Sequence, residues 1–555
     1  MRELSILIGG KAGYGVDKSG TVIANVLGRL GYYVYVYRDY PSLIRGGHTY
    51  SIIRSSDEKI GSHKNGVDLL LALNQDAIDV HKSKMSDGAS IIYDSDSVKP
   101  DTLPPGKDAI GIPLVKISQE EKAPEIMRNT CLIGAMCKAL GIDLSVLEKV
   151  IKKEFDNDTE SNIKIARRGY DGSRPVLKID IMAGRKLPTI TGNEALSLGL
   201  IRGGLKTYIA YPMTPTSPIL HFMASVADRF SLKVIHPESE IAVILMATGC
   251  AYAGDKVAVG TSGGGFCLMT EGLSFSGMAE IPVVIVLGQR PGPSTGLPTY
   301  STQTELLFAL NAGQGEFTRF VVAPGDAEEA YSWSQVALNM SWKYQVPSII
   351  LTDKTLGEGL YSFDRSLCED IEEALPESWD HAGEYRRYAD TKTGVSPLAF
   401  PSEKGAVVKV NSYEHDESGF STEDPALTIK MQDKRFRKAT YLANDLDAYE
   451  PVRIYGEKDA SRALLCWGSN KPVCIEAAKR IGLKVVQIAV FSPFPANRLK
   501  EALSGVKEII GVESNATGQM ARLVSEYGFT VDRSITKYDG RPFSVDELID
   551  KLRKT

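Results

Sequence analysis

Short apolar runs separated by amphipathic stretches occupy the first part of the chain. The runs at 4–8, 32–37, 69–73 and 90–93 have the length and the flanking turn residues of β-strands. After the first run, residues 17–30 space their apolar side chains as one face of a helix does. Strands that alternate with helices are typical of a parallel sheet covered by helices. The pattern therefore predicts a parallel, helix-covered α/β sheet here.

A second alternation follows a polar, basic stretch near residues 150–185. It predicts strands at 207–210, 232–235, 257–260, 282–287, 319–322 and 347–351. The regular spacing is lost between 360 and 450, and a third unit then has predicted strands at 463–467, 484–488 and 508–512. We therefore expect four segments, namely α/β domains at 1–185, 186–358 and 451–555 and an irregular connecting segment at 359–450.

Composition and charge exclude several classes of protein. The 555 residues are 43% apolar and 24% charged, which is ordinary globular usage. With 64 basic against 69 acidic side chains, the net charge of -5 leaves no basic footprint for nucleic acid or an anionic membrane. No CxxC pair occurs among the seven cysteines, and no apolar run reaches the ~18 residues of a membrane span. We expect a soluble cytoplasmic protein with reduced cysteines and no metal site of its own.

A glycine-rich turn follows the first predicted strand and opens the first predicted helix. It reads Gly9-Gly10-Lys11-Ala12-Gly13-Tyr14-Gly15, and Asp39 follows the second strand, where a dinucleotide fold binds ribose. Lys18 stands where the dinucleotide fingerprint has its third glycine. Anion binding by the turn and Lys11, a purely structural turn, and NAD binding are the three interpretations.

A second turn, Gly260-Thr261-Ser262-Gly263-Gly264, matches the nucleophile elbow of serine hydrolases. Such an enzyme needs a histidine downstream, and His381 and His415 both fall in the segment predicted to be irregular. We therefore favour a glycine-rich turn whose hydroxyl and N–H groups face a ligand.

Three further loops combine rigid residues with polar side chains. Residues 211–218 cluster hydroxyl groups between prolines, and residues 236–242 bring Glu238 and Glu240 to the start of an apolar helix. A carboxylate there is commonly a partner of the helix dipole. Arg290 ends a very apolar strand in a loop of glycines and hydroxyls, which suits the capture of a small carboxylate by two hydrogen bonds.

In this order, the motifs resemble the 2-oxoacid:ferredoxin oxidoreductases, in the form whose alpha subunit carries a gamma domain fused at its N-terminus. The resemblance covers nearly the whole chain. It rests on residues 9–15, 40–48, 192–195, 211–218, 238–242, 261–265, 290–298, 394–397, 414–416 and 513–519.

The resemblance implies a transketolase-like, multi-domain α/β fold. Residues 1–185 would form the gamma-type domain, 186–358 the domain that binds the pyrimidine of thiamine diphosphate, and 451–555 the transketolase C-terminal-like domain. The implied reaction is the oxidative decarboxylation of a 2-oxoacid, with coenzyme A as acyl acceptor and ferredoxin as electron acceptor.

The resemblance also implies roles for individual residues. Glu240 matches the glutamate that hydrogen-bonds the aminopyrimidine, while Thr214 and Arg290 match the residues at the 2-oxoacid carboxylate. Its further implied contacts are Ser294 and Thr295 for the substrate, Thr261, Ser262 and Gly263 for the cofactor, and Lys11, Gly13, Gly15 and Arg45 for coenzyme A or another anion.

The chain lacks the Gly-Asp-Gly motif with which thiamine enzymes hold diphosphate and Mg2+, and it lacks a cysteine cluster. In this family a beta subunit supplies the diphosphate site, Mg2+ and a [4Fe-4S] cluster, so the resemblance implies half an active site in an αβ or (αβ)2 assembly. Indolepyruvate oxidoreductase is disfavoured, because its alpha subunit should carry both motifs. A non-catalytic scaffold or regulatory paralogue is the alternative from another class.

The stretch Gln303-Thr304-Glu305-Leu306 departs from the commoner Gln-Gly-Asp-Leu of the family. It lies near the implied substrate loop, so 2-oxoglutarate, pyruvate and branched-chain 2-oxoacids all remain candidate substrates. The fused gamma–alpha arrangement favours 2-oxoglutarate or a broad specificity.

Overall fold

The computed structural model describes residues 3–42, 46–155, 157–182, 186–369 and 371–554. The chain folds into two compact units, each assembled from separate stretches of sequence. The first unit comprises 1–191, 358–364 and 543–555, and the second comprises 192–357 and 365–542. The domain boundaries that the sequence suggests at 185, 358 and 450 stay predictions. The structure groups residues 543–555 with the first unit.

Helices and strands alternate along much of the described chain. Up to residue 191 they are β1 (Glu3–Lys11), α1 (Val16–Arg29), β2 (Tyr33–Asp39), β3 (His48–Ser56), β4 (Val67–Ala72), α2 (Gln75–His81), β5 (Met85–Asp94), β6 (Asp108–Ile112), α3 (Leu114–Glu120), α4 (Arg128–Ala139), α5 (Leu144–Glu154), α6 (Thr159–Asp171) and β7 (Thr189–Thr191). They continue as α7 (Gly192–Arg202), β8 (Thr207–Ala210), α8 (Ser217–Phe230), β9 (Lys233–Ile235), α9 (Glu240–Tyr252), β10 (Val257–Ser262), α10 (Gly263–Met278), β11 (Val284–Gln289), α11 (Leu306–Asn311), β12 (Phe320–Val322), α12 (Ala327–Tyr344), β13 (Ser348–Asp353) and α13 (Lys354–Glu358). The remainder are β14 (Leu360–Ser362), α14 (Pro425–Leu446), β15 (Val452–Gly456), β16 (Arg462–Cys466), α15 (Lys471–Ile481), β17 (Lys484–Ile488), β18 (Val490–Ser492), α16 (Ala496–Ala502), β19 (Glu508–Glu513), α17 (Gln519–Glu526), β20 (Arg533–Thr536) and α18 (Val545–Arg553).

The sheet of the first unit is mixed, in the order β6-β5-β4-β1-β3-β2-β14-β7. Strands β1, β4, β5 and β6 run parallel, whereas β3 is antiparallel to both β1 and β2. The four strands predicted for this unit, β1, β2, β4 and β5, do run in the same direction, but β3, which was not predicted, makes the sheet mixed rather than parallel. The pattern did not reveal β3 because its buried residues include Ser51, Arg54, Ser55 and Ser56. Arg54 stays buried by donating to the Glu3 carboxylate at 2.7 Å and to the Ser62 carbonyl at 2.9 Å.

The second unit contains a seven-stranded sheet in the order β18-β12-β13-β11-β10-β8-β9. All six strands predicted for this part of the sequence are present and parallel, and β18 adds an antiparallel edge. Strand β10 lies between β8 and β11, so the loops that follow these three strands open at the same edge. Ligands of parallel α/β sheets bind at that edge.

The second unit also contains a five-stranded sheet in the order β15-β17-β16-β19-β20. The three strands predicted after residue 451 are its central β16, β17 and β19, which run parallel. The sequence did not reveal β15, which pairs antiparallel with β17, or β20, which pairs parallel with β19. This sheet carries the Glu513–Gln519 motif at the end of β19.

The segment predicted to be irregular contains α14, a helix of 22 residues. Three basic residues of this helix, Lys434, Arg435 and Lys438, are buried. Lys434 donates to both carboxylate oxygens of Glu280 at 2.8 and 2.9 Å, and Lys438 forms a second ion pair with the same carboxylate. Arg387 closes the group by donating to the Glu280 carbonyl at 2.7 Å. A charge partner more than a hundred residues away in sequence therefore organises a segment that local pattern could not resolve.

Candidate active site

The Glu240 carboxyl group lies buried at the start of α9. Ser239 caps this helix by accepting a hydrogen bond from the Ala242 N–H, so Glu240 is the first helical residue. Only 4% of Glu240 is exposed, and its Oε1 has no hydrogen-bond partner among the described residues. A buried carboxylate oxygen without a donor is costly unless a ligand supplies one. Glu238, by contrast, is exposed.

The first turn of α10 passes directly over this carboxyl group. An added Cβ on Gly265 would lie 2.4 Å from Glu240 Oε1 and 2.2 Å from Thr261 Oγ1. Thr261 and Ser262, at the end of β10, are both completely buried, and Ser262 Oγ has no partner. The glycines therefore let the helix approach the carboxyl group closely while its first N–H groups remain open to a ligand.

Arg290 connects two of the loops at the sheet edge. It follows β11, and its Nη1 donates to the Thr214 carbonyl, in the loop after β8, at 3.0 Å. Arg290 is 9% exposed and its Nε has no partner. Burial lowers the pKa of the guanidinium, while the carboxylates of Glu305 and Glu240 raise it. The structure thus brings Arg290 to the Thr214 loop and within electrostatic range of Glu240, while the roles that the resemblance implies for these residues stay predictions.

Helix α7 holds the Thr214 loop in place through Asn193. Asn193, which is 1% exposed, donates from Nδ2 to the Pro215 carbonyl at 2.9 Å. Thr216 closes the loop on itself by donating to the Met213 carbonyl at 2.9 Å. The 192–195 motif therefore positions the loop from beneath.

Ser294 and Thr295, predicted as substrate contacts, lie on an exposed loop. Ser294 has a left-handed backbone with φ of 55°, and its carbonyl lies 3.9 Å from the position of a Cβ on Gly264. The loop therefore borders the start of α10, although its hydroxyl groups stay in solvent.

Glu305 is a residue of this site that sequence reasoning missed. It is 9% exposed, and an added Cβ on Gly263 would lie 2.7 Å from its Oε1. The Thr304 hydroxyl donates to Oε2 at 3.0 Å. Burial raises the pKa of Glu305 to about 7, against the lowering effects of Thr304 and Arg290. The departure at 303–306 was the available signal, but sequence alone does not show that this carboxyl group is buried.

The loop that carries Glu305 is held by the Glu513–Gln519 motif. Gln519 donates to the Thr304 carbonyl at 2.7 Å and accepts from the Leu307 N–H at 3.1 Å. Asn515 donates to the Gln303 carbonyl at 3.0 Å. This motif of the five-stranded sheet therefore fixes the loop in place.

The glycine turn of the first unit is supported by α4. Gly13 and Gly15 have φ of 97° and 70°, and Asn129 donates to the Gly15 carbonyl at 3.2 Å. Lys11 is exposed at the turn. Arg45, the fourth predicted contact for an anion, lies outside the described residues.

Two alternatives from the sequence lose support in the structure. The Asp39 carboxylate accepts hydrogen bonds from Tyr37 at 2.9 Å and Tyr50 at 3.2 Å, which disfavours the ribose contact of an NAD enzyme. Ser262 Oγ is buried without a partner, while the His415 ring bonds the Tyr413 carbonyl at 2.9 Å, so the elbow has no catalytic histidine there.

Within the described part of the chain, no helix has both the length and the hydropathy needed to cross a membrane. The same residues contain no group of three or more His, Cys, Asp or Glu side chains arranged to hold a metal ion.

Two family models match the sequence. One, described as pyruvate flavodoxin/ferredoxin oxidoreductase, thiamine diP-bdg, matches residues 198–434 and so contains Thr214, Glu240, Arg290 and Glu305. The other, described as pyruvate ferredoxin/flavodoxin oxidoreductase, matches residues 5–172 in the first unit.

Relatives and a solved structure match over the full length. The 2-oxoacid:ferredoxin oxidoreductase subunit alpha of Sulfolobus sp is 32% identical, over 100% of this chain and 97% of the relative. That of Saccharolobus solfataricus is 31% identical, over 99% and 97%. The 2-oxoglutarate:ferredoxin oxidoreductase of Magnetococcus marinus, with 2-oxoglutarate, coenzyme A and succinyl-CoA bound, has a TM-score of 0.91 at 29% identity, over 100% of this chain and 99% of that one.

These matches confirm the multi-domain α/β fold and the resemblance drawn from the motifs. With a relative 32% identical over its whole length, the chain belongs to the 2-oxoacid:ferredoxin oxidoreductase family, as an alpha subunit.

Proposed function

We propose that this chain supplies the pyrimidine half of a thiamine diphosphate site and most of the 2-oxoacid site. The complete enzyme would decarboxylate a 2-oxoacid oxidatively, transfer the acyl group to coenzyme A and reduce ferredoxin. The observation that carries this proposal is the buried, unpartnered Oε1 of Glu240 beneath the glycine-rich start of α10.

The residues around Glu240 fit the aminopyrimidine ring. A ring nitrogen that donates to Glu240 Oε1 would satisfy the orphaned acceptor, and the absence of a side chain on Gly265 keeps that approach open. When bound, thiamine diphosphate supplies the electron sink for cleavage of the carbon–carbon bond. Glu240 would hold the ring and favour its basic imino form, while Thr261, Ser262 and Gly263 line the start of the helix.

Arg290 and Thr214 would bind the substrate. Arg290 donates one N–H to the Thr214 carbonyl, and its unpartnered Nε remains available to a carboxylate. The low exposure of the guanidinium strengthens this contact, because little water competes for it. Thr214 would contact the substrate from the loop after β8, and Ser294 and Thr295 would do so from the loop after β11.

The relatives are named as alpha subunits, which implies a complex of several subunits. We propose a beta subunit that holds the diphosphate, Mg2+ and a [4Fe-4S] cluster and passes electrons to ferredoxin, in an αβ or (αβ)2 complex. We also propose a cytoplasmic location, because a reducing compartment suits free thiols such as those of Cys131, Cys137 and Cys466.

We place coenzyme A at the glycine turn of the first unit, with Lys11, Gly13, Gly15 and Arg45 as candidate contacts. Support comes from the exposed Lys11 beside the N-terminus of α1, which Gly15 caps without a side chain. For the substrate we favour 2-oxoglutarate, because the similar Magnetococcus marinus enzyme holds it.

The test is anaerobic reduction of a viologen dye with coenzyme A and each candidate 2-oxoacid. The chain would be assayed alone and after co-expression with its candidate beta subunit. Activity that appears only in the iron-containing complex, and with one acid above the rest, is the expected result. A chain that recruits no iron-containing partner and never reduces the dye would be a scaffold or regulatory paralogue.

A further inference from the structure

Two buried carboxyl groups flank the first turn of α10. Glu240 Oε1 lies beneath Gly265, at 2.4 Å from the position of an added Cβ, and Glu305 Oε1 lies beside Gly263, at 2.7 Å from the corresponding position. Arg290 directly follows Gln289, whose side chain accepts the Glu305 N–H at 3.2 Å, and its guanidinium interacts electrostatically with both carboxyl groups. The buried Arg290 guanidinium is therefore the cation that acts on both Glu240 and Glu305.

The charge of this group changes when a substrate arrives. A 2-oxoacid brings another carboxylate to Arg290, so three negative groups would share one guanidinium if both glutamates were ionised. Burial of unpaired charge is strongly unfavourable. One of the two glutamates must therefore be neutral in the substrate complex.

The surroundings identify Glu305 as the neutral one. Glu240 sits at the N-terminus of the 13-residue helix α9, where the helix dipole favours a negative charge. Glu305 precedes the six-residue helix α11, and its burial outweighs the effect of the Thr304 hydroxyl, which donates to Oε2 and favours the ionised form. Its N–H donates to the Gln289 side chain at 3.2 Å, which fixes the residue in place, and no described residue forms an ion pair with its carboxyl group.

We propose that Glu305 is a positioning residue whose proton releases Arg290 for the substrate carboxylate, and whose ionised form competes with the substrate for Arg290. The inference rests on the proposed role of Arg290. It assigns to Glu305 control over the affinity for the 2-oxoacid rather than over the chemical step.

The direction of the pH dependence follows from burial. Burial raises the pKa of Glu305 to about 7, and Thr304 and Arg290 act in the opposite direction. Below this pH Glu305 is neutral and the substrate binds well. Above it, the ionised carboxylate draws on Arg290, so KM for the 2-oxoacid should rise by up to about tenfold per pH unit for one proton lost. The charged groups that act on this centre are Arg290 on Glu305, and Glu240 on Arg290.

The experiment measures KM and kcat for the 2-oxoacid against pH in the αβ complex. Glu305→Gln, which keeps the shape and removes the charge, should give a KM that stays low on the alkaline side, with kcat little changed. Glu316→Gln is the matched control, because Glu316 is an exposed carboxylate that follows α11. This variant should keep the wild-type pH profile of KM. Identical profiles for wild type and Glu305→Gln would overturn the proposal.

Two further measurements keep the test decisive if Glu305→Gln folds poorly. Thr304→Val removes a hydrogen bond that favours the ionised form, so the rise in KM should move to higher pH. Infrared difference spectra of the substrate-free complex should show a protonated carboxyl group that disappears as pH rises through 7. An unmoved profile together with no such band would also overturn the proposal.

Failure of the proposed function gives a different pattern. If Arg290→Ala leaves KM unchanged at every pH, the substrate assignment itself is wrong. If Arg290→Ala raises KM while Glu305→Gln copies the wild type, only the role of Glu305 is wrong.

Discussion

The Arg290 guanidinium holds the main chain of Thr214, not its side chain, through a hydrogen bond of 3.0 Å to the carbonyl. The loops after β8 and β11 are thereby joined across the end of β10. Because the acceptor is a backbone atom, the bond survives any substitution at Thr214 that keeps the loop. The two side chains can therefore be tested separately.

Replacement of Arg290 separates charge from geometry. Arg290→Ala should lower kcat/KM for the 2-oxoacid by about 100-fold, because two charge-assisted hydrogen bonds of about 1.5 kcal/mol each are lost. Arg290→Lys keeps the charge, but its ammonium group cannot bond the substrate carboxylate and the Thr214 carbonyl in one plane. Its kcat/KM should therefore lie between the values for the wild type and for Arg290→Ala. Steady-state viologen reduction measures both. A lysine variant as poor as the alanine variant would assign the effect to geometry alone.

Replacement of Glu240 tests the aminopyrimidine contact. Glu240→Gln should reduce turnover by about 100-fold or more while the complex still assembles, because an amide cannot favour the basic form of the ring. Glu238→Gln, two residues earlier and exposed, is the matched control and should retain full activity. Turnover and gel filtration of both variants would check this, and a fully active Glu240→Gln enzyme would refute the contact.

A pair of neighbouring glycines tests the close approach of α10. A methyl group on Gly265 would lie 2.4 Å from Glu240 Oε1, whereas one on Gly264 meets only the Ser294 carbonyl, at 3.9 Å. Gly265→Ala should therefore displace the carboxyl group and weaken thiamine diphosphate binding, and Gly264→Ala should bind it normally. Calorimetric titration with the cofactor distinguishes them. Equal affinities would mean that the carboxyl group does not need this space.

The buried ion cluster around Glu280 should dominate the stability of α14. Glu280→Gln leaves two buried ammonium groups without a carboxylate, which costs about 3–5 kcal/mol. Lys438→Met replaces one ammonium by an apolar group of similar length and should be neutral or stabilising at pH 7. Urea denaturation monitored by tryptophan fluorescence measures both. The prediction fails if Lys438→Met is destabilised as much as Glu280→Gln.

The same lysine gives the cluster a pH dependence of known sign. Burial lowers the pKa of Lys438 to about 7 from its ordinary 10.5, against the raising effect of Glu280. Between these values the unfolded chain binds more protons than the folded chain, so stability contributed at this position rises with pH. Wild type should therefore gain stability relative to Lys438→Met between pH 7 and 10.5. A constant difference would show that Lys438 keeps its proton throughout.

The parallel strands were predictable because their signal is local. The predicted strands at 257–260 and 282–287 are short, mainly apolar runs followed by glycine-containing turns, and the structure has β10 and β11 at these places. Strand β3 and helix α14 were not predicted, because each contains a buried charged residue whose partner is distant in sequence. Arg54 pairs with Glu3, and Lys434 pairs with Glu280. Nothing near Lys434 in the sequence announces that Glu280 will meet it.

Prediction of the site had the same limit. Thr214, Glu240 and Arg290 were identified by resemblance to a family, since a threonine, a glutamate and an arginine on separate loops carry no joint pattern. Glu305 was noticed only as a departure from that family. Its importance depends on burial and on the nearness of Gly263, which are properties of the folded chain.

The discontinuous make-up of the first unit bears on how the chain is made by the ribosome. Strand β7 pairs with β14, and the Val545 N–H at the start of α18 donates to the His63 carbonyl at 3.1 Å, so the partners of β7 and of His63 are synthesised much later than they are. The sheet of the first unit therefore stays incomplete until residues 360–362 have been synthesised, and α18 adds its contact later still. A chain that stops before residue 360 would thus leave β7 without β14 and His63 without Val545. Chaperones and proteases could recognise this incomplete sheet.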